Sequence, residues 1–137
     1  MNKEFVTYEI ASELKELGFD EPCIGYYKDM KGEKVLLYDT MDFDGECNTP
    51  LYQQAFRWFE EKYSYFVDVK TDTTPNEILG FDYYIKSWKF GPRYFNFFKE
   101  KGEGNIKVIN KMIEMVKKEK QKEALIKLMD NDKDLDK

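Results

Sequence analysis

Residues 49–63 read TPLYQQAFRWFEEKY, and the way this stretch folds decides the architecture of the chain. Tyr52, Phe56, Phe59 and Tyr63 recur at helical spacing and fall on one face, with Leu51, Ala55 and Trp58 alongside. Thr49 is suited to cap the free N–H groups, and Pro50 suits the first turn, where its missing N–H leaves nothing unpaired. An apolar arc this wide needs cover from two sides, or from one side and a partner. The spacing predicts a helix over residues 51–63.

Upstream, residues 7–17 read as another helix. Thr7 caps it, and Ile10, Leu14 and Leu17 form its stripe. Gly18 supplies a left-handed stop, after which Phe19 folds back onto Leu14. Residues 24–27 and 35–38 read as strands of an antiparallel hairpin joined through 28–34, with Gly32 as the turn residue. The polar residues 39–48 read as a surface loop.

Downstream, residues 65–69 and 81–90 read as strands. In the second, Phe81, Tyr83, Ile85, Ser87 and Lys89 point one way, and Tyr84, Lys86, Trp88 and Phe90 the other. Between them, 71–80 is rich in turn formers. Gly91-Pro92 reads as the end of the strand, and 93–104 is an aromatic and basic segment without a clear period. Ile106, Ile109, Ile113 and Val116 mark a third helix that opens at Gly104 or Asn105 and runs to residue 120 or so. Residues 117–123 hold no apolar side chain, Leu125, Leu128 and Met129 resume the pattern, and 130–137 is a charged tail. The expected fold is α+β, with helices packed on an antiparallel sheet of about four strands in the order α-β-β-α-β-β-α plus a helical tail. Residues 1–116 are read as one domain and 117–137 as a charged helical extension.

The chain of 137 residues suits a single core. Its 11 Phe, 10 Tyr and 2 Trp rule out a disordered composition and suit either core or interface use, which abundance alone does not separate. Two cysteines, Cys23 and Cys47, point to a reducing compartment. The N-terminal residues, broken by Lys3, Glu4, Glu9 and Glu13, do not read as a signal peptide, and no apolar run approaches the roughly 20 residues that cross a bilayer. A cytoplasmic protein without a membrane partner is the expectation. Residues 1–69 hold 7 basic and 15 acidic side chains, and 70–137 hold 15 and 12, so the acidic half is joined to a basic one.

Histidine is absent, which removes the commonest general base and metal ligand and with them every Ser–His or Cys–His pair. No Walker or dinucleotide glycine pattern occurs. Asp42-Phe43-Asp44-Gly45-Glu46 imitates part of a calcium loop, yet with Gly45 at the sixth position Thr40 and Leu51 would fill the acidic first and twelfth places. Asp130, Asp132, Asp134 and Asp136 alternate without the required glycine. The expectation is a protein without catalytic residues, metal or cofactor. Residues 86–127 combine 12 basic against 5 acidic side chains with Trp88, Phe90, Tyr94, Phe95, Phe97 and Phe98, a pattern that also suits single-stranded nucleic acid, although no RNA-binding signature accompanies it. The candidate partner-binding residues are Tyr52, Arg57, Trp58, Trp88, Arg93, Tyr94 and Phe97, because aromatics flanked by charge make interface anchors.

Two blocks carry a resemblance. Thr7-Tyr8-Glu9-Ile10-Ala11 through Leu14-Lys15-Glu16-Leu17-Gly18-Phe19-Asp20-Glu21-Pro22-Cys23 with Gly25-Tyr26-Tyr27, and then residues 50–63, resemble a family of small uncharacterised proteins of Bacteroidetes phages, prophages and gut metagenomes. Residues 117–137 look like an extension relative to that pattern. The resemblance implies a phage or mobile-element product acting in a bacterial cytoplasm, and carries no functional residues over. The reading that follows is a non-catalytic phage-type accessory protein that engages a host or phage protein, in its sharpest form to blunt a host defence. Self-association through the C-terminal helix is the second expected contact. A small-molecule-binding protein, with a pocket between the aromatic face of residues 51–63 and the sheet, is the alternative, followed by a nucleic-acid binder.

Overall fold

A computed structural model describes residues 4–37 and 47–135. Its first helix, α1 (Tyr8–Glu16), begins where the Thr7 side chain accepts a hydrogen bond from the Ile10 amide. It ends as expected. Gly18 has φ +102°, its N–H donates to the Lys15 carbonyl, and the Phe19 N–H donates to the Leu14 carbonyl.

A three-stranded antiparallel sheet follows, in the order β2-β1-β3: β1 (Gly25–Met30), β2 (Glu33–Leu37) and β3 (Cys47–Thr49). The β1–β2 hairpin is tighter than its sequence implies. Lys31 and Gly32 alone connect the strands, both at positive φ, and the Asp29 carboxylate accepts from the Gly32 N–H. Most of the expected 39–48 loop, with the Asp42–Glu46 motif, lies outside the described residues, but Cys47 and Asn48 belong to β3.

Thr49 does not cap the next helix. It ends β3, fully buried, and its hydroxyl donates to the Val6 carbonyl, which also accepts from the Tyr27 hydroxyl. Val6 in turn donates its N–H to the Pro50 carbonyl, so the segment before α1 is sewn to this corner. The helix α2 (Tyr52–Tyr63) starts from Leu51, with no side chain capping it among the described residues. It stops at Ser64, in the left-handed region at φ +57°, whose N–H returns to Glu60.

The second sheet has the order β4-β5-β6: β4 (Tyr65–Thr73), β5 (Ile78–Ser87) and β6 (Phe90–Phe98), all antiparallel. The alternation expected through β5 holds, since Tyr83, Ile85 and Ser87 are buried. The expected strand break at Gly91-Pro92 does not occur. A two-residue turn at Trp88-Lys89 reverses the chain earlier, and β6 absorbs Gly91 and Pro92 in a register shift opposite Lys86, where a proline costs no regular ladder bond. Among the described residues the two sheets together hold six strands rather than about four, the additions being β3 and β6.

The last helix, α3 (Lys101–Leu135), is continuous over 35 residues and starts a turn earlier than its apolar stripe implies. The core cluster runs from Val6 to Val116 and joins Ile10, Leu14, Phe59, Tyr83, Ile109 and Ile113 from all three helices and the second sheet. Gly104 lets α3 lie directly on the sheet: a β-carbon there would overlap the Tyr83 ring. The Tyr83 hydroxyl, at the rim of that contact, lies 2.9 Å from the Lys101 carbonyl and 2.7 Å from Asn105 Oδ1, with its one proton shared between them.

Two glycines in the same helical turn therefore behave oppositely. Gly104→Ala should lower stability by about 1–3 kcal/mol through overpacking. Gly102→Ala, whose β-carbon meets nothing within 4 Å, should be neutral or add up to about 1 kcal/mol. Urea unfolding of the two variants beside the parent chain checks this; equal midpoints would contradict the close helix–sheet contact.

Candidate interaction surface

The second sheet packs one face on the helices and, among the described residues, leaves the other open. Tyr65, Val67, Val69, Tyr83 and Ile85 point inward with Phe98, so their neighbours along each strand point outward. The outward set pairs across strands. Phe66 faces Lys86, Asp68 faces Tyr84, Lys70 faces Asp82, and Asp82 and Tyr84 face Phe97 and Tyr94.

The aromatic members of this face are locked together. Tyr84 and Tyr94 have ring centroids 5.4 Å apart, Lys70 Nζ sits 5.1 Å above the Tyr84 ring, and the Tyr94 hydroxyl donates to Asp82 Oδ1 at 3.1 Å. Phe97 lies across Gly80, which has no β-carbon to obstruct it. Tyr94 stays 56% and Phe66 42% exposed, so large apolar surface meets water beside fixed charges. Partial desolvation and the hydrogen bond to the Asp82 carboxylate push the Tyr94 phenol above its ordinary range.

The seven residues singled out by sequence do not form one surface. Tyr94 and Phe97 share the open face. Arg93 pairs opposite the inward-facing Ile85 and stacks on Phe90 at 4.1 Å. Trp88, 77% exposed, stands at the β5–β6 turn with Lys89 Nζ over its ring. Arg57 is exposed on α2. Tyr52 and Trp58 lie apart from that face: both are buried, Trp58 packed edge-on against Phe19, Phe59 and Tyr63, so neither is an anchor on the open sheet. Sequence reasoning missed Phe66 and Tyr84, although the alternation through 65–69 and 81–90 already contained them.

Two further features bear on chemistry. A cleft of about 490 Å³ opens between α2, β4 and the first turn of α3. Elsewhere Glu119 accepts from the Tyr65 hydroxyl at 2.9 Å and pairs with Lys89, which tethers the β5–β6 turn to α3; these partners hold its carboxyl below the usual range. Among the described residues no group of three or more Cys, Asp or Glu side chains is placed to hold a metal ion. No helix in the described chain is long and apolar enough to cross a membrane. No protein-family model, curated protein or solved structure matches this chain.

Burial raises the phenols of Tyr52, Tyr65 and Tyr83 from 10 to about 12. A tyrosine is neutral when protonated, so above pH 10 the unfolded chain releases protons that the folded chain keeps. Their contribution to stability is complete below pH 10 and is lost as pH rises toward 12. Tyrosinate absorbance should therefore show a late-titrating group of phenols whose ionisation coincides with loss of the circular dichroism signal. Complete ionisation near pH 10 with the fold intact would contradict it.

Proposed function

We propose that this chain is a non-catalytic accessory protein that binds another protein on the open face of β4, β5 and β6. The observation that carries the reading is the uncovered sheet face, on which Phe66, Tyr84, Tyr94 and Phe97 alternate with charges of both signs. Aromatic anchors ringed by charge supply contact area and orient an encounter. Asp68, Asp72 and Asp82 outnumber Lys70 and Lys86 there, which favours a partner that presents basic and apolar side chains and disfavours a polyanion. The basic residues of 86–127 are divided between the sheet, the β5–β6 turn and α3, which weakens the nucleic-acid reading. The resemblance to phage and prophage proteins supports a host or phage protein of a bacterial cytoplasm as the partner.

Capture from a Bacteroidetes lysate with and without nuclease, run in parallel with the double variant Phe66→Lys and Tyr94→Lys, tests this. The partner should survive nuclease and be lost with the variant, each anchor contributing at least about 2 kcal/mol, or more than tenfold in affinity. Retention by the variant, or release by nuclease, overturns it.

The far end of α3 supports self-association. Leu125, Leu128 and Met129 form a stripe with Ile126 beside it, each 58–61% exposed. Lys117, Lys118, Lys120 and Lys122 precede the stripe, and Asp130, Asp132 and Asp134 follow it in sequence. Antiparallel pairing of two copies would set the basic turns of each beside the acidic turns of the other. Sedimentation should show a salt-sensitive dimer that becomes a monomer when the chain ends at Glu123, with stability changed by no more than about 0.5 kcal/mol. An unchanged sedimentation coefficient per unit mass would refute the pairing.

A further inference from the structure

The cleft beside α3 has a composition the open sheet face does not explain. Its apolar walls are Phe56 from α2 and Val67 and Val69 from β4, and its end is the first turn of α3, at Lys101 and Gly102. At about 490 Å³ it suits a small organic molecule and is too small for a folded partner.

Four charged side chains border it: Arg57 and Lys101, and Glu4 and Glu60. None of the four makes an ion pair or a side-chain hydrogen bond among the described residues. The first-turn N–H groups of α3 have no carbonyl one turn before them, and they add a partial positive charge at the Lys101 end. Tyr52 also lines the cleft. It is 4% exposed, yet its hydroxyl has no hydrogen-bond partner within the described chain, and it is absent from the fully enclosed polar atoms. A phenol so placed keeps its proton to high pH and offers a donor to whatever occupies the cleft.

Opposed unpaired charges select against a simple ion. An anion drawn to Arg57 and Lys101 meets Glu4 and Glu60, and a cation meets the reverse. A dipolar molecule satisfies both pairs, and an apolar body covers Phe56 and the two valines. We infer that the cleft binds a small zwitterion of the α-amino-acid class with an apolar or aromatic side chain. Its carboxylate pairs with the cations that border the cleft and its ammonium with the carboxylates there. This site stands independently of the docking face, on the opposite side of the sheet.

Calorimetric titration of the full chain with L-phenylalanine tests the inference, beside phenethylamine, which lacks the carboxylate, and hydrocinnamate, which lacks the ammonium. L-Phenylalanine should bind at least about tenfold more tightly than either. Gly102→Leu provides a block that does not harm the fold, because a side chain there projects into open space. It should abolish binding while thermal unfolding stays at or above that of the parent. Tyr52→Phe should weaken binding by about threefold to tenfold, the loss of one hydrogen bond. Failure of L-phenylalanine to bind, equal binding of the three compounds, or undiminished binding by the Gly102→Leu chain overturns it.

Discussion

The contact between the Tyr83 ring and Gly104 determines how the second sheet and α3 fit together. Tyr83 is fully buried at the centre of the middle strand, and the hydroxyl end of its ring can lie against the helix only because residue 104 lacks a side chain. That approach brings Val108, Ile109 and Met112 down onto the sheet and closes the core against α1 and α2. A buried phenol must still place its hydroxyl, and the chain solves this by ending the ring at the first turn of α3, where a carbonyl and an amide stand ready. Packing and hydrogen bonding are thus satisfied by one geometry, and both depend on a single glycine.

Local rules were legible in the sequence wherever the partner of a group lies within a few residues. The Thr7 cap, the Gly18–Phe19 stop and the Gly32 turn involve neighbours no more than five positions apart. Thr49 illustrates the opposite case. A threonine before a proline and an amphipathic run reads as a cap, but its hydroxyl is claimed by Val6, 43 residues away, and no local pattern announces that. Gly91-Pro92 misled for a related reason: a proline is incompatible with a regular central strand but not with a bulge on an edge, and only the pairing with β5 shows which of these β6 is.

The same ambiguity governs the candidate site. Tyr52, Trp58, Tyr94 and Phe97 are equivalent by composition, and burial divides them evenly between core and surface. Trp58 is enclosed because α2 has cover on both flanks, whereas Tyr94 remains in water because nothing within the described chain lies over the outer sheet face. The cleft was foreseeable in outline, since a pocket between the aromatic face of residues 51–63 and the sheet is one of the readings the sequence offers. Its charges were not, because Glu4, Arg57, Glu60 and Lys101 converge from three separated segments.

The continuity of α3 has a mechanical consequence. At 1.5 Å per residue its 35 residues make a rod about 50 Å long, packed in the core as far as Val116 and exposed from Lys120 to Asp130. A bend at the end of that packed part is therefore magnified along the rod: about 10° at Glu119 carries Leu135, roughly 24 Å further on, through about 4 Å. The tether from Glu119 to Lys89 and Tyr65 acts as a stay partway along, setting the resting angle of the lever.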